Sequence, residues 1–147
     1  MKLFSRSLYF RVVEKSDATE KYAAWLNDPE VNKFLETRHA EQSVETCISF
    51  IEAMNADAKS HLFGIFDRHT DQHIGNVKVG FINSEYKSGQ ISLFIGEKAS
   101  WGRGFGAETI KTMCKYSFKE LDLARLEAGC YENNLASLRA FLKVGFT

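Results

Sequence analysis

Apolar and polar positions divide the chain into short strands and longer helices. Leu8 to Val13 is a β-rich apolar run closed by Glu14-Lys15, which predicts a first strand. Ala18, Tyr22, Trp25 and Leu26 then recur at three- and four-residue spacing, the mark of a helix with one buried face, and Ser16 or Asp17 can cap it. Asn27-Asp28-Pro29 stops that helix, because the residue before proline avoids the α region. Pro29 suits the first turn of a short second helix through Val31, Phe34 and Leu35. After a polar loop, Glu36 to His39, Ser43 caps a third helix with Val44, Cys47, Ile48, Ile51 and Met54 inward. These helices are expected over one end of the sheet, where an acceptor molecule could be gripped.

The middle of the chain has strand character. Leu62 to Phe66 is one strand and Asp67 to Asp71 a turn. His73 to Asn83 is a longer strand, with Val77, Val79 and Phe81 alternating against Asn76, Lys78 and Gly80. Ser84 to Ser88 is a loop, and Gly89 to Ile95 a central strand. Glycines follow at 102, 104 and 106. Then Ala107, Ile110, Cys114, Ser117 or Phe118, and Leu121 mark the longest helix. Leu126 to Tyr131 is a last strand. Asn133 or Asn134 caps a final helix bearing Leu135, Leu138, Phe141 and Leu142, which Gly145 ends. The pattern predicts an α+β fold: an antiparallel meander, then one strand–helix–strand unit whose two strands run parallel, with helices on both faces.

Strand, glycine loop and helix start together form an anion site. The first amides of a helix lack intrahelical partners, the macrodipole favours negative charge there, and glycine lets a ligand approach. A nucleoside-triphosphate P-loop needs Gly-Lys-Ser/Thr at this point, and Gly106-Ala107-Glu108 does not supply it. Gly102, Gly104 and Ala107 satisfy a dinucleotide fingerprint, with Glu127 twenty residues on. Only one strand–helix–strand unit is present, which leaves a dinucleotide enzyme a distant alternative. A glycine turn serving only helix–strand packing is the plainer reading.

Trp101 to Glu108 (WGRGFGAE), Asn134 to Ser137 (NLAS) and Lys143 to Phe146 (KVGF), in that order, resemble the GCN5-related N-acetyltransferase (GNAT) superfamily. The resemblance is greatest to the branch acetylating ribosomal-protein N-termini, amino sugars and antibiotics, and Trp25 to Val31 (WLNDPEV) is similar to that branch's N-terminal helix region. It implies a single acetyltransferase domain over residues 1–147 that moves an acetyl group from acetyl-CoA to a primary amine by direct attack in a ternary complex. The acceptor it implies is an amino sugar, a nucleotide-linked amino sugar or a protein N-terminus. The family normally continues past Gly-Phe into further strands, so the sheet is expected to be C-terminally incomplete. That expectation leaves room for a homodimer by strand exchange.

The resemblance also assigns roles. The backbone of Gly102, Arg103, Gly104, Phe105, Gly106 and Ala107 would hold the cofactor's diphosphate beside Trp101, and Leu93, Phe94 and Ile95 would pair with its amide arm. Arg103 adds a cation or is simply solvated. Asn134 contacts the cofactor or serves as a helix cap. The attacking amine must lose a proton, and Gln90 stands where many relatives place a base, which leaves Glu36, Glu85 and His39 as candidates. An amide of Phe94 or Ile95 would stabilise the oxyanion. The leaving thiolate needs a donor. Phe141 replaces the tyrosine many relatives use, so Ser137 or Tyr131 takes that part. Gln90 and Phe141 also admit a catalytically silent acyl-CoA-binding module.

Composition narrows the setting. Nineteen basic and nineteen acidic residues cancel, which argues against a general nucleic-acid or membrane-surface binder. Cys47, Cys114 and Cys130 are odd in number and lie on apolar faces, so reduced core thiols and a cytoplasmic location are expected. His39, His61, His69 and His73 form no metal-ligand pattern.

Overall fold

The computed structural model describes residues 1–32, 40–128, 139–142 and 145–146. Six strands form one sheet in chain order: β1 (Leu3–Phe4), β2 (Leu8–Val12), β3 (His61–Asp67), β4 (His73–Asn83), β5 (Ser88–Ile95) and β6 (Arg125–Ala128). β1 to β5 are an antiparallel meander. β6 returns parallel to β5, with pairs from Ser88↔Arg125 to Ile91↔Ala128. The helices are α1 (Glu20–Asn27), α2 (Pro29–Asn32), α3 (Val44–Ala56) and α4 (Phe105–Lys119).

The period-two alternation of the strands sends two sets of side chains to opposite faces. Leu8, Phe10, Phe63, Ile65, Val77, Val79 and Ile91 pack beneath α4, which contributes Phe105, Ile110, Met113 and Tyr116. On the other face Val13 and Leu62 meet Tyr22, Trp25 and Leu26 of α1 and Cys47 and Ile51 of α3. α4 starts two residues before the predicted Ala107. Its inner face carries Thr109, Met113 and Ser117, while Phe118 points to solvent.

Three further details depart from the sequence reading. β1 is a short edge strand with too few residues to show a period. The cap of α1 is Thr19, whose hydroxyl accepts the Tyr22 N–H at 3.2 Å, because Lys15–Asp17 is spent on a separate 3-10 turn. Asp17 instead holds Arg11 through two contacts of 2.8 Å. In β4 the alternation breaks at Phe81, which has φ 50° and is 73% exposed. The ladder with β5 shifts between Gly80 and Asn83, and Ile82 rather than Phe81 packs against the core. Ser43 caps α3 as predicted, in a reciprocal capping box with Thr46.

The chain's end also follows the reading. Residues 139–142 are helical, and Gly145 takes φ 110°. Phe146 N–H bonds the Phe141 carbonyl and Gly145 N–H bonds that of Leu142, at 3.1 and 3.0 Å, a Schellman closure sealed by the Phe141–Phe146 ring contact. Phe34, Leu35, Cys130, Asn133, Leu135 and Leu138 lie outside the described residues. Among the described residues, no helix is long and apolar enough to cross a membrane, and no three His, Cys, Asp or Glu side chains gather as a metal site.

Thr19→Ala should lower unfolding free energy by about 1 kcal/mol, while Ser16→Ala should stay within about 0.5 kcal/mol of the parent in urea unfolding.

Candidate active site

The loop between β5 and α4 is shaped by two left-handed glycines. Gly102 and Gly104 have φ of 77° and 78°, and Gly104 is the N-cap of α4 with no side chain bonded into it. Among the described residues, the amides of Gly102 through Ala107 have no acceptor; the helical ladder begins with Glu108 N–H on the Gly104 carbonyl at 3.1 Å. Apart from immediate chain neighbours, no atom of the described residues lies within 4 Å of where a Cβ would stand at 102 or 104. Unpartnered amides, a helix dipole and open space make a nest that fits an anionic diphosphate.

Neighbouring elements hold the nest. The Glu108 carboxylate accepts the Ser7 N–H at 2.8 Å and the Ser5 hydroxyl, pinning the β1–β2 turn to the first turn of α4. Arg103 is neither buried nor free. Its guanidinium lies 4.6 Å over the Phe105 ring and 3.8 Å from Asp67, a buried carboxylate that also accepts the His69 N–H.

β5 brings its end up to the same loop. Gly96 N–H donates to the Ile74 carbonyl at 2.8 Å, continuing the ladder in which Phe94 pairs with Asn76. Antiparallel alternation therefore turns the backbone of Leu93 and Ile95 away from β4. Of the two predicted oxyanion donors, the Ile95 amide has this orientation and the Phe94 amide belongs to the ladder. The last described pair of the parallel ladder is Ile91↔Ala128, while β5 runs on to Ile95.

Leu93, Phe94, Ile95 and Trp101 through Ala107 thus form one continuous stretch. Glu85 is not brought to it: the residue sits in an exposed turn before β5, at the other end of the strand. Gln90 lies beside Glu127, which is ion-paired to Arg125. Phe141 is buried as a packing residue. Glu36, His39, Tyr131, Asn134 and Ser137 lie outside the described residues.

A polar cluster that motif reasoning missed occupies the opposite face. His73 Nε2 lies 2.8 Å from Asn76 Oδ1, and Asn76 Nδ2 donates to Tyr22 Oη at 2.7 Å. His73 also stacks on Phe66 and meets the edge of Trp25. A bulge at Ile65/Phe66 turns His73 toward this cluster, and nothing in the spacing announces it. Burial holds the His73 pKa below its ordinary value, and burial raises that of Tyr22. Asp17 is pulled the other way: burial raises its pKa, but hydrogen bonds from Arg11 and Glu14 N–H outweigh it and hold the carboxyl low.

Comparison with known proteins now decides the family. The sequence profile of the acetyltransferase (GNAT) domain matches residues 7–147. The chain belongs to the GNAT acetyltransferase family. It is 30% identical to the Bacillus subtilis protein named "Probable N-acetyltransferase YjcK" over 98% of this chain and 82% of that one. In fold it is similar to the ribosomal L7/L12 α-N-protein acetyltransferase RimL bound to coenzyme A. The TM-score is 0.87 at 15% identity, covering 100% of this chain and 84% of RimL. It is also similar to Vibrio cholerae spermidine N-acetyltransferase bound to CoA and spermine, with TM-score 0.81 at 20% identity over 96% and 81% of the two chains. This GNAT protein is an acetyl-CoA-dependent N-acetyltransferase.

Two outcomes follow from the geometry. A Cβ at Gly96 would overlap the Trp25 ring, so Gly96→Ala should lower Tm by several degrees and reduce acetyl-CoA turnover. His73 binds protons less readily folded than unfolded, so its contribution is complete above its ordinary value of 6.5 and is lost as pH falls through it. Urea midpoints should drop between pH 7 and 5, and His73→Gln should flatten that slope, leaving the smaller part due to His61, whose pKa burial also lowers.

Proposed function

We propose that this acetyltransferase acts on a small mono-amine of the amino-sugar class, by direct attack of the amine on the bound thioester. The carrying observation is the ion pairing of the described carboxylates around α1. Lys98 pairs with Asp28 at 2.7 Å and Glu30 at 3.3 Å, Lys21 with Glu97 at 3.1 Å, and Arg11 with Asp17 at 2.8 Å. A polycation needs several free carboxylates, and among the described residues three cations, Lys98, Lys21 and Arg11, engage these four carboxylates, a surplus of one. A single amine on an otherwise uncharged, hydroxyl-bearing molecule needs no larger surplus.

In this reading the nest of residues 102–107 holds the diphosphate, and Leu93 and Ile95 pair with the amide arm. A backbone amide on the edge of β5 that faces away from β4 donates to the carbonyl oxygen as it becomes tetrahedral. The acceptor amine gives up its proton to a base from Glu36 or His39, directly or through water. The pair left on sulfur is met by a proton from Ser137 or Tyr131.

Thiol release should be measured with acetyl-CoA against glucosamine, a peptide with a free N-terminus, and spermidine. Glucosamine is expected to give the highest kcat/KM. Highest turnover with spermidine would overturn the ion-pairing argument, and with the peptide would reassign the acceptor to protein N-termini. Gly104→Glu, which puts bulk and negative charge at the nest, should abolish CoA binding in a chain that circular dichroism shows to be folded.

A further inference from the structure

The chain has two tryptophans, and both converge on the end of β5. Trp101 Nε1–H donates to the Ile95 carbonyl at 2.8 Å. From the helical side, Trp25 presses on Gly96 and stands edge-on to Phe94 with ring centroids 6.3 Å apart. From β4, Gly75 is bare, which lets the Phe94 carbonyl approach more closely than any side chain there would allow. Residues 94–96 are therefore held from three directions.

Leu93 and Ile95 turn an N–H and a carbonyl each along the edge that faces away from β4, which no described strand pairs beyond Ile91. An extended ligand with amide groups would bond to that edge as an added strand does. Trp101 engages the last acceptor of the series, the Ile95 carbonyl. The same residue opens the glycine loop, so this one bond ties the strand edge to the diphosphate nest and sets the distance between them. Trp101 is 42% exposed, so its ring also borders the space between the two.

We infer that Trp101 is a positioning residue for the amide arm of the cofactor. It ends the strand-like track at Ile95 and turns the arm toward the loop amides. The inference rests on the reading that the cofactor's diphosphate sits at the start of α4. Trp25, pressing on Gly96, keeps the Ile95 carbonyl aimed at the indole.

Trp101→Phe keeps a ring and removes the donor. Calorimetric titration of the intact chain with CoA and with ADP, which carries a diphosphate but no amide arm, separates the two halves of the site. The variant should bind CoA about tenfold more weakly, because the strand edge and the loop are no longer held at the spacing the arm needs, and ADP within about twofold of the parent. In the parent, CoA should change tryptophan emission and ADP should change it less, and the variant should lose the CoA-specific part. Equal losses for CoA and ADP would make Trp101 a structural support of the loop and overturn the inference. Unchanged affinity for both would also overturn it. A parent chain that binds neither ligand would instead refute the diphosphate assignment.

Discussion

A helix that follows a strand in a parallel crossover must begin where that strand ends. The unpartnered amides at the start of α4 follow from this constraint. α4 cannot slide along the sheet, because Ile110, Met113 and Phe105 are locked into the same core as Val77, Val79 and Ile91. Burial of such side chains is worth about 1.5–3 kcal/mol each, so the helix start is held by packing far stronger than any single contact it makes with a ligand. The amides stay available because Gly104, in a left-handed conformation, brings no side chain to cap them. Core and amide nest are in this sense one arrangement, with apolar packing along one side of α4 and unpartnered amides at its tip.

The other half of the site works by subtraction. Gly75 and Gly96 flank the end of β5, and at both a Cβ would collide with its neighbour. Removing those side chains lets strand backbone and the Trp25 indole close on residues 94–96. Trp25 belongs to α1, and α1 is tied to the loop after β5 by the Lys21–Glu97 pair and, through Asp28 at its end, by Lys98. Exposed pairs of this kind contribute little to stability singly. Their consequence is geometric: α1 and the loop between β5 and α4 are joined through the same few residues.

Much of this was legible before any coordinates. The glycines at 102, 104 and 106 and the periodicity from Ile110 announced the nest, and the apolar runs announced the meander and its parallel return. What escaped was whatever depends on pairing between distant segments. The bulge at Ile65/Phe66 that turns His73 toward Asn76 changes no local pattern. Phe81 fits the alternation of its own strand perfectly well. It is expelled because β5 pairs out of step beyond Gly80, while the Ile82 amide bonds the Lys59 carbonyl. Thr19 lost its role in the sequence reading to Asp17, a good cap by type whose carboxylate is committed to Arg11. Local propensity named the right residue types and tertiary partners chose among them.

The same logic bears on proton transfer. Gln90 and Phe141 occupy places where an ionisable side chain could have served, and Phe141 is instead closed into the core with Phe146. The backbone parts of the site do not depend on either. An enzyme that relies on amides and positioning asks less of a base when the acceptor is a weak one. A lysine-like amine has a pKa of about 10.4, whereas an α-amino group titrates near 7.7–8.0. Near neutral pH the weaker base supplies a few hundred times more of the free amine. That is on the scale of the ~10²–10⁴-fold a positioned base contributes. The glutamine at position 90 therefore points the same way as the proposed acceptor, an amine beside electron-withdrawing groups, and away from a polyamine.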